Sequence, residues 1–217
     1  MNTSVAFVAQ VSAILMGFFT RVVFTRMLSE GYVGINGLFT DILNILSLSE
    51  LGVGTAITYA LYAPIAKGDI KKQQILMRMF RSFYRMTALF VMGAGLCLIP
   101  FLDILMKDRP DVDHLVLIYC LYLLNSVVSY LLIYKKTLID AHQMNYITVM
   151  YHNGFLVLQD ILQIIVLFLT RNFILFLVIA VVCTIIGNIC MSRKADRLFP
   201  YLKEPCKEQL PQEERHD

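Results

Sequence analysis

Apolar residues in this chain fall into long blocks. Six runs stand out: Ser4 to Leu28, Gly34 to Ala63, Met86 to Met106, His114 to Tyr134, Tyr146 to Thr170 and Phe173 to Ser192. At about 1.5 Å of rise per residue, a helix of about 20 residues crosses roughly 30 Å of bilayer hydrocarbon, and every run reaches that length. What is left forms short loops and a polar tail. The pattern predicts an all-α integral membrane protein with six transmembrane helices, a single domain over residues 1–203, and a disordered tail over 204–217. The first run has no basic start and stays apolar well past the usual 7 to 15 residues of a signal-peptide core, so it is expected to remain in the mature protein.

Composition agrees with this pattern. The chain has 217 residues, 58% of them hydrophobic, and a mean hydropathy of +0.66. The formal charge of +3 matters less than its distribution. Lys67, Lys71, Lys72, Arg78, Arg81 and Arg85 lie between the second and third runs, Lys135 and Lys136 follow the fourth, and Arg193, Lys194, Arg197, Lys203 and Lys207 follow the sixth. The loop from Lys107 to Asp113 is acidic on balance. Short cytoplasmic loops carry the excess of Lys and Arg, so both termini are expected in the cytoplasm.

Polar residues within the runs are not scattered at random. On a helix that turns about 100° per residue, Thr3, Gln10, Gly17 and Arg21 share a narrow arc of the first span, while Arg26 points nearly the other way and lies close enough to the outer end to snorkel. In the second span Asn36, Thr40, Ser47, Glu50, Gly54 and Thr58 form one stripe; in the fifth, His152, Asn153, Gln159, Asp160 and Gln163 cover about a third of the circumference. Neutral polar residues of this kind either hydrogen-bond helix to helix or line a wet cavity. Charges are a different matter. An acidic or basic side chain at a helix centre costs roughly 2.5 to 3.5 kcal/mol on insertion scales, which directs Arg21, Asp41, Glu50 and Asp160 toward a cavity or an ion-pair network. The expected cavity residues are therefore Arg21, Asp41, Glu50, Asn36, Ser47, Asp160 and Gln163. Counting along the first hairpin places Arg21 and Asp41 at similar depth, which predicts an ion pair between them.

Gly52 and Gly54 flank the charged centre of the second span, Pro64 ends it, and Pro100 is expected to mark a kink or an end in the third. Lys71, Arg78, Arg81 and Arg85 form a ridge suited to anionic headgroups at the inner surface, each worth about 1 kcal/mol there. Cys97, Cys120, Cys183, Cys190 and Cys206 show no paired spacing and read as small buried hydrophobes. No zinc-type spacing, phosphate loop or nucleophile elbow occurs, so no metal, cofactor, catalytic residue or nucleic-acid partner is expected, and the chain does not read as an enzyme.

The stretch Tyr-Val-Gly-Ile-Asn-Gly-Leu-Phe-Thr-Asp-Ile-Leu-Asn-Ile-Leu-Ser-Leu-Ser-Glu-Leu-Gly-Val-Gly-Thr-Ala-Ile from Tyr32, with Ala-Leu-Tyr-Ala-Pro-Ile-Ala from Ala60, resembles the Wzx-like flippases. These are the polysaccharide transporters of the multidrug/oligosaccharidyl-lipid/polysaccharide superfamily. Ser-Tyr-Leu-Leu-Ile-Tyr-Lys-Lys from Ser129, Asp-Ala-His-Gln from Asp140 and Ser-Arg-Lys-Ala-Asp-Arg-Leu-Phe-Pro-Tyr-Leu from Ser192 agree with it. The resemblance implies a MATE-like fold of two six-helix lobes facing a central cavity. It also implies a lipid-linked oligosaccharide substrate on a polyprenyl diphosphate, moved across a bacterial plasma membrane by alternating access. Arg21 is then the first candidate for the phosphate, because an arginine fork stays charged and offers planar donors. Relative to that pattern the chain lacks a basic leader and stops where the second lobe should start, so it is expected to be one half that needs another. Two other functions fit the same spans: a cation-coupled small-molecule exporter using Asp41, Glu50 or Asp160, and a non-transporting scaffold for polysaccharide assembly.

Overall fold

A computed structural model describes residues 2–47, 53–106 and 112–203. Among these the chain is helical, without strands. The helices are α1 (Asn2–Met27), α2 (Glu30–Ser47), α3 (Val53–Ala66), α4 (Ile70–Leu98), α5 (Leu102–Leu105), α6 (Leu115–Leu131), α7 (Ile133–Ala141), α8 (Asn145–Thr170) and α9 (Phe173–Leu198). A 3₁₀ turn at Ile99–Phe101 joins α4 to α5, and another, Pro200–Lys203, follows α9. Four stretches are long and apolar enough to cross a membrane: Phe7–Met27, Ile70–Phe101, Asn145–Thr170 and Phe173–Leu198. The pair α6 and α7, bent by 42°, makes a fifth if taken as one path. The protein thus has the character of a multi-pass membrane protein.

Local chemistry sets the turns. Gly68 ends α3 in the left-handed region, at φ 66°. There its N–H reaches the Ile65 carbonyl and that of Asp69 the Pro64 carbonyl, the pairing of a Schellman end. Asp69 then caps α4, its carboxylate accepting from the Lys72 N–H at 3.0 Å. The same closure recurs after α7 with Gln143 at φ 59° in the glycine position. Asn172 caps α9 by accepting from the N–H groups of Ile174 and Leu175.

Side-chain pairs fix the helix directions. Gln10 meets Asn153, and Gly17 lies against Asp160, so α1 and α8 run parallel with a constant offset of 143 residues. α8 and α9 are antiparallel, with Gln163 reaching Phe176 and Phe155 lying against Gly187. α9 runs parallel to α6, with Phe173 near Tyr122 and Asn188 bonded to Val128. The end of α4 meets the start of α6 at Gly95 and Tyr119, while α4 also packs on α7. Consequently α1, α4 and α8 all begin at one end of the bundle. The chain between Met27 and Ile70 must return from the far end to that one. α2 does so beside α6 and α3 beside α7, both packed on α4.

This order places Lys67, Lys71, Lys72, Lys135, Lys136, Arg193, Lys194 and Arg197 at the end where α4 and α8 begin. The far end is closed by an aromatic cluster of Phe24, Tyr32, Phe173 and Phe176, with ring centroids 5.1 to 6.0 Å apart. Outward faces are apolar, including Phe7 and Phe18 on α1, Leu89 and Phe90 on α4, and Phe168 and Leu169 on α8. Such faces over several helices are what lipid requires. Inside, where lipid supplies no hydrophobic drive, close packing and inter-helix hydrogen bonds hold the bundle.

Several boundaries differ from the apolar runs. The third helix starts at Ile70 instead of Met86, because Gln73, Leu76, Met77, Phe80 and Tyr84 are buried in the bundle and carry the helix through the basic ridge. The fourth bends at Leu132 and continues to Ala141, where a loop was expected. The sixth continues to Leu198. The second run, 34–63, is described as α2 and α3 on either side of 48–52, which lie outside the described residues, as does the tail 204–217. Pro64 sits within α3 two residues from its end, and Pro100 falls in the 3₁₀ turn that ends α4.

Candidate functional site

A partly open cavity with a volume of about 360 Å³ lies among α6, α7, α8 and α9. Each helix presents to it one row of side chains at helical spacing. α6 and α7 give Asn125, Ser129 and Lys136; α8 gives Thr148, His152, Phe155 and Gln159; α9 gives Thr184, Gly187, Asn188 and Met191. Gly187 lets the Phe155 ring approach closely, since a Cβ at that position would come 3.2 Å from it. The bend at Leu132 aims Lys136 at the space instead of letting the helix continue straight past it. None of the lining residues is acidic.

The two adjacent lysines do different work. Lys135 donates to both Asp196 carboxylate oxygens, at 2.7 and 2.8 Å, and to the Ser192 hydroxyl at 2.8 Å, tying α7 to α9. Lys136 makes no ion pair among the described residues. Asp140, one turn further along α7, accepts from the Thr148 hydroxyl at 2.6 Å, interacts electrostatically with Lys136 and does not line the cavity. Asn188 donates to the Val128 carbonyl, whereas the Asn125 Oδ1 is buried without a partner.

Those residues expected in a cavity that the structure describes do not line this one. Arg21 and Asp41 are both exposed. They form no ion pair, so the expected contact across the first hairpin is absent; among the described residues the ion pair is Lys135 with Asp196. Asn36 accepts from the Tyr122 hydroxyl and joins α2 to α6. Asp160 lies against Gly17, on the seam between α1 and α8. Gln163 is 3% exposed and donates to the Phe176 carbonyl, so it holds α8 to α9. Glu50 lies outside the described residues, and so does the Ser47 side chain.

The wide polar arc of α8 is therefore divided three ways. His152 and Gln159 face the cavity, Asn153 and Asp160 face α1, and Gln163 faces α9. Sequence reasoning passed over Asn125, Ser129, Lys136, Thr148, Thr184 and Asn188. Their signal was present in the spacing of 125, 129 and 136, of 148, 152 and 159, and of 184 and 188. It gains meaning only once four separate helices are known to face one point.

At the end where α4 begins, Tyr201 closes the fold. Its hydroxyl donates to Gln73 Oε1 at 2.6 Å, its carbonyl accepts from Gln74, and Gln73 in turn donates to the Pro64 carbonyl. Burial pushes the Tyr201 phenol up to about 12, so it remains a donor at physiological pH.

Comparison of the chain with protein-family models, with curated proteins and with solved structures yields no match.

Proposed function

We propose that this chain is the N-terminal lobe of a flippase or exporter for polysaccharide precursors, moving a lipid-linked oligosaccharide by alternating access together with a second lobe. The observation that carries this reading is a pocket of about 360 Å³, bearing a lysine and several amides and hydroxyls, among helices whose outer faces are lipid-compatible. A bundle serving only as an anchor gains nothing from leaving such a space unfilled, because packing is what holds helices together in lipid. The motif resemblance from Tyr32 to Ala66 supports the polysaccharide class of substrate.

In this reading the membrane is a bacterial plasma membrane and the chain crosses it six times, the path 30–66 forming the second crossing. The alternation of helix directions supports six, since α1 and α4 begin at the same end. Basic residues gather at that end, which is the cytoplasmic one by the positive-inside rule, and both termini belong there. Arg21, exposed and without an ion pair among the described residues, is the proposed contact for substrate diphosphate. Glu50 is proposed to line the cavity shared with the second lobe.

Reconstitution tests the reading. Purified chain in liposomes with a fluorescent polyprenyl-diphosphate glycan should translocate it only when a facing second lobe is supplied. Robust translocation by a demonstrated monomer, or none by the paired lobes, refutes the proposal. Reporter fusions after Lys72 and Arg193 should read as cytoplasmic and one near Asp111 as external.

A further inference from the structure

We propose that the cavity among α6 to α9 is a subsite for a singly charged, hydroxylated ligand, a sugar acid of the uronate class, held by Lys136 and the Asn125 and Asn188 amides. Lys136 brings one positive charge to the lining, no carboxylate lines the space although Asp140 acts on Lys136 from behind Thr148, and its neighbour Lys135 is already committed to Asp196 and Ser192. A bound carboxylate gives the half-buried Lys136 ammonium a charge-assisted hydrogen bond.

The uncharged lining selects the remainder of the ligand. Asn125 Oδ1 is buried without a partner and accepts from a donor such as a sugar hydroxyl. The Gln159 amide and the Thr184 hydroxyl extend the polar side, while the Phe155 ring offers an apolar wall to a pyranose face. The volume falls at the lower end of small-molecule pockets, enough for one monosaccharide unit but not for an oligosaccharide.

A diphosphate fits poorly. It brings two or more negative charges, and with one lysine the excess would be desolvated without compensation. The subsite is therefore distinct from the diphosphate contact proposed at Arg21. It rests on the transporter reading only for the source of the ligand, as a uronate unit of the transported glycan.

The test is calorimetric titration of the full chain in phosphatidylcholine nanodiscs with glucuronate, methyl glucuronoside, glucose and pyrophosphate. Glucuronate and its methyl glycoside should bind within about threefold of each other, and glucose and pyrophosphate at least about tenfold more weakly. Lys136→Met should lower glucuronate affinity at least about tenfold and Lys136→Arg should largely restore it, while Asn125→Asp, nearly the same shape with a negative charge, should abolish binding. Equal affinity for glucose, preference for pyrophosphate, or unchanged binding in Lys136→Met overturns the proposal. Exclusion of the methyl glycoside overturns the link to a glycan, and loss of glucuronate binding when phosphatidylglycerol is added assigns the cavity to a lipid headgroup and overturns the sugar. Because no translocation is needed, failure here leaves the flippase reading standing, and failure of reconstituted translocation leaves the subsite standing.

Discussion

Gly95 and Gly93 lie two residues apart on α4, yet they should respond to alanine in opposite ways. A Cβ on Gly95 would come 2.4 Å from Leu123 Cδ1, 2.9 Å from Cδ2 and 3.2 Å from Cγ, whereas nothing lies within 4 Å of one on Gly93. Leu123 is 4% exposed, and three of its atoms are too close at once, so rotating its end does not clear the clash. α6 must move away, and that stretches the 2.9 Å hydrogen bond from the Tyr119 hydroxyl to the Gly95 carbonyl. Both substitutions gain the same helix propensity, about 1 kcal/mol, which cancels in the comparison. What remains is overpacking at Gly95, about 1 to 3 kcal/mol. Equilibrium unfolding in mixed micelles should therefore place Gly95→Ala below Gly93→Ala by that amount. In a Leu123→Ala background, itself about 2 to 5 kcal/mol less stable, the penalty of Gly95→Ala should vanish. Equal stability of the two alanine variants, or the same Gly95→Ala penalty in both backgrounds, would refute the close α4–α6 approach.

Three more outcomes follow from named contacts. Asp196→Ala should destabilise by about 1 to 3 kcal/mol because Lys135 is left mostly buried and unpaired, and Lys135→Met with Asp196→Leu should recover most of it in a double-mutant cycle; simple additivity would argue against the pair. Gln10→Ala and Asn153→Ala should each cost about 0.6 kcal/mol, and together no more than the larger, as read by the same unfolding assay. Tyr201→Phe leaves the Gln73 acceptor buried without its donor, at a cost of about 1 to 3 kcal/mol that stays constant at neutral pH. Folding raises this phenol above its ordinary 10.0, so the unfolded chain loses the proton first, and the wild-type advantage should shrink only as pH climbs from about 10 toward 12.

How much of the site was legible in advance can be judged from α8. Its polar residues were visible as one arc, and the periodicity places them on one side of a helix. Yet Asn153 bonds to Gln10, Gln163 to the Phe176 carbonyl, and His152 faces the cavity. An arc of that width touches three neighbours, and periodicity carries no information on which neighbour stands where. The expected pairing of Arg21 with Asp41 failed for a related reason: equal depth brings two residues to one level without fixing the rotation of either helix.

The sequence by itself determined that this is a helical membrane protein, roughly where its long helices lie, and which end of the bundle gathers the basic residues. Those properties depend on chain-local quantities, namely the length of apolar runs, capping and turn residues, and the count of Lys and Arg in each loop. Tertiary structure alone decided the 143-residue register of α1 on α8, the bend at Leu132, and the separate fates of Lys135, tied to Asp196, and Lys136, turned into the cavity. Those depend on contacts between residues far apart in the chain, where small side chains and hydrogen bonds select among many packings that lipid leaves nearly equal in energy.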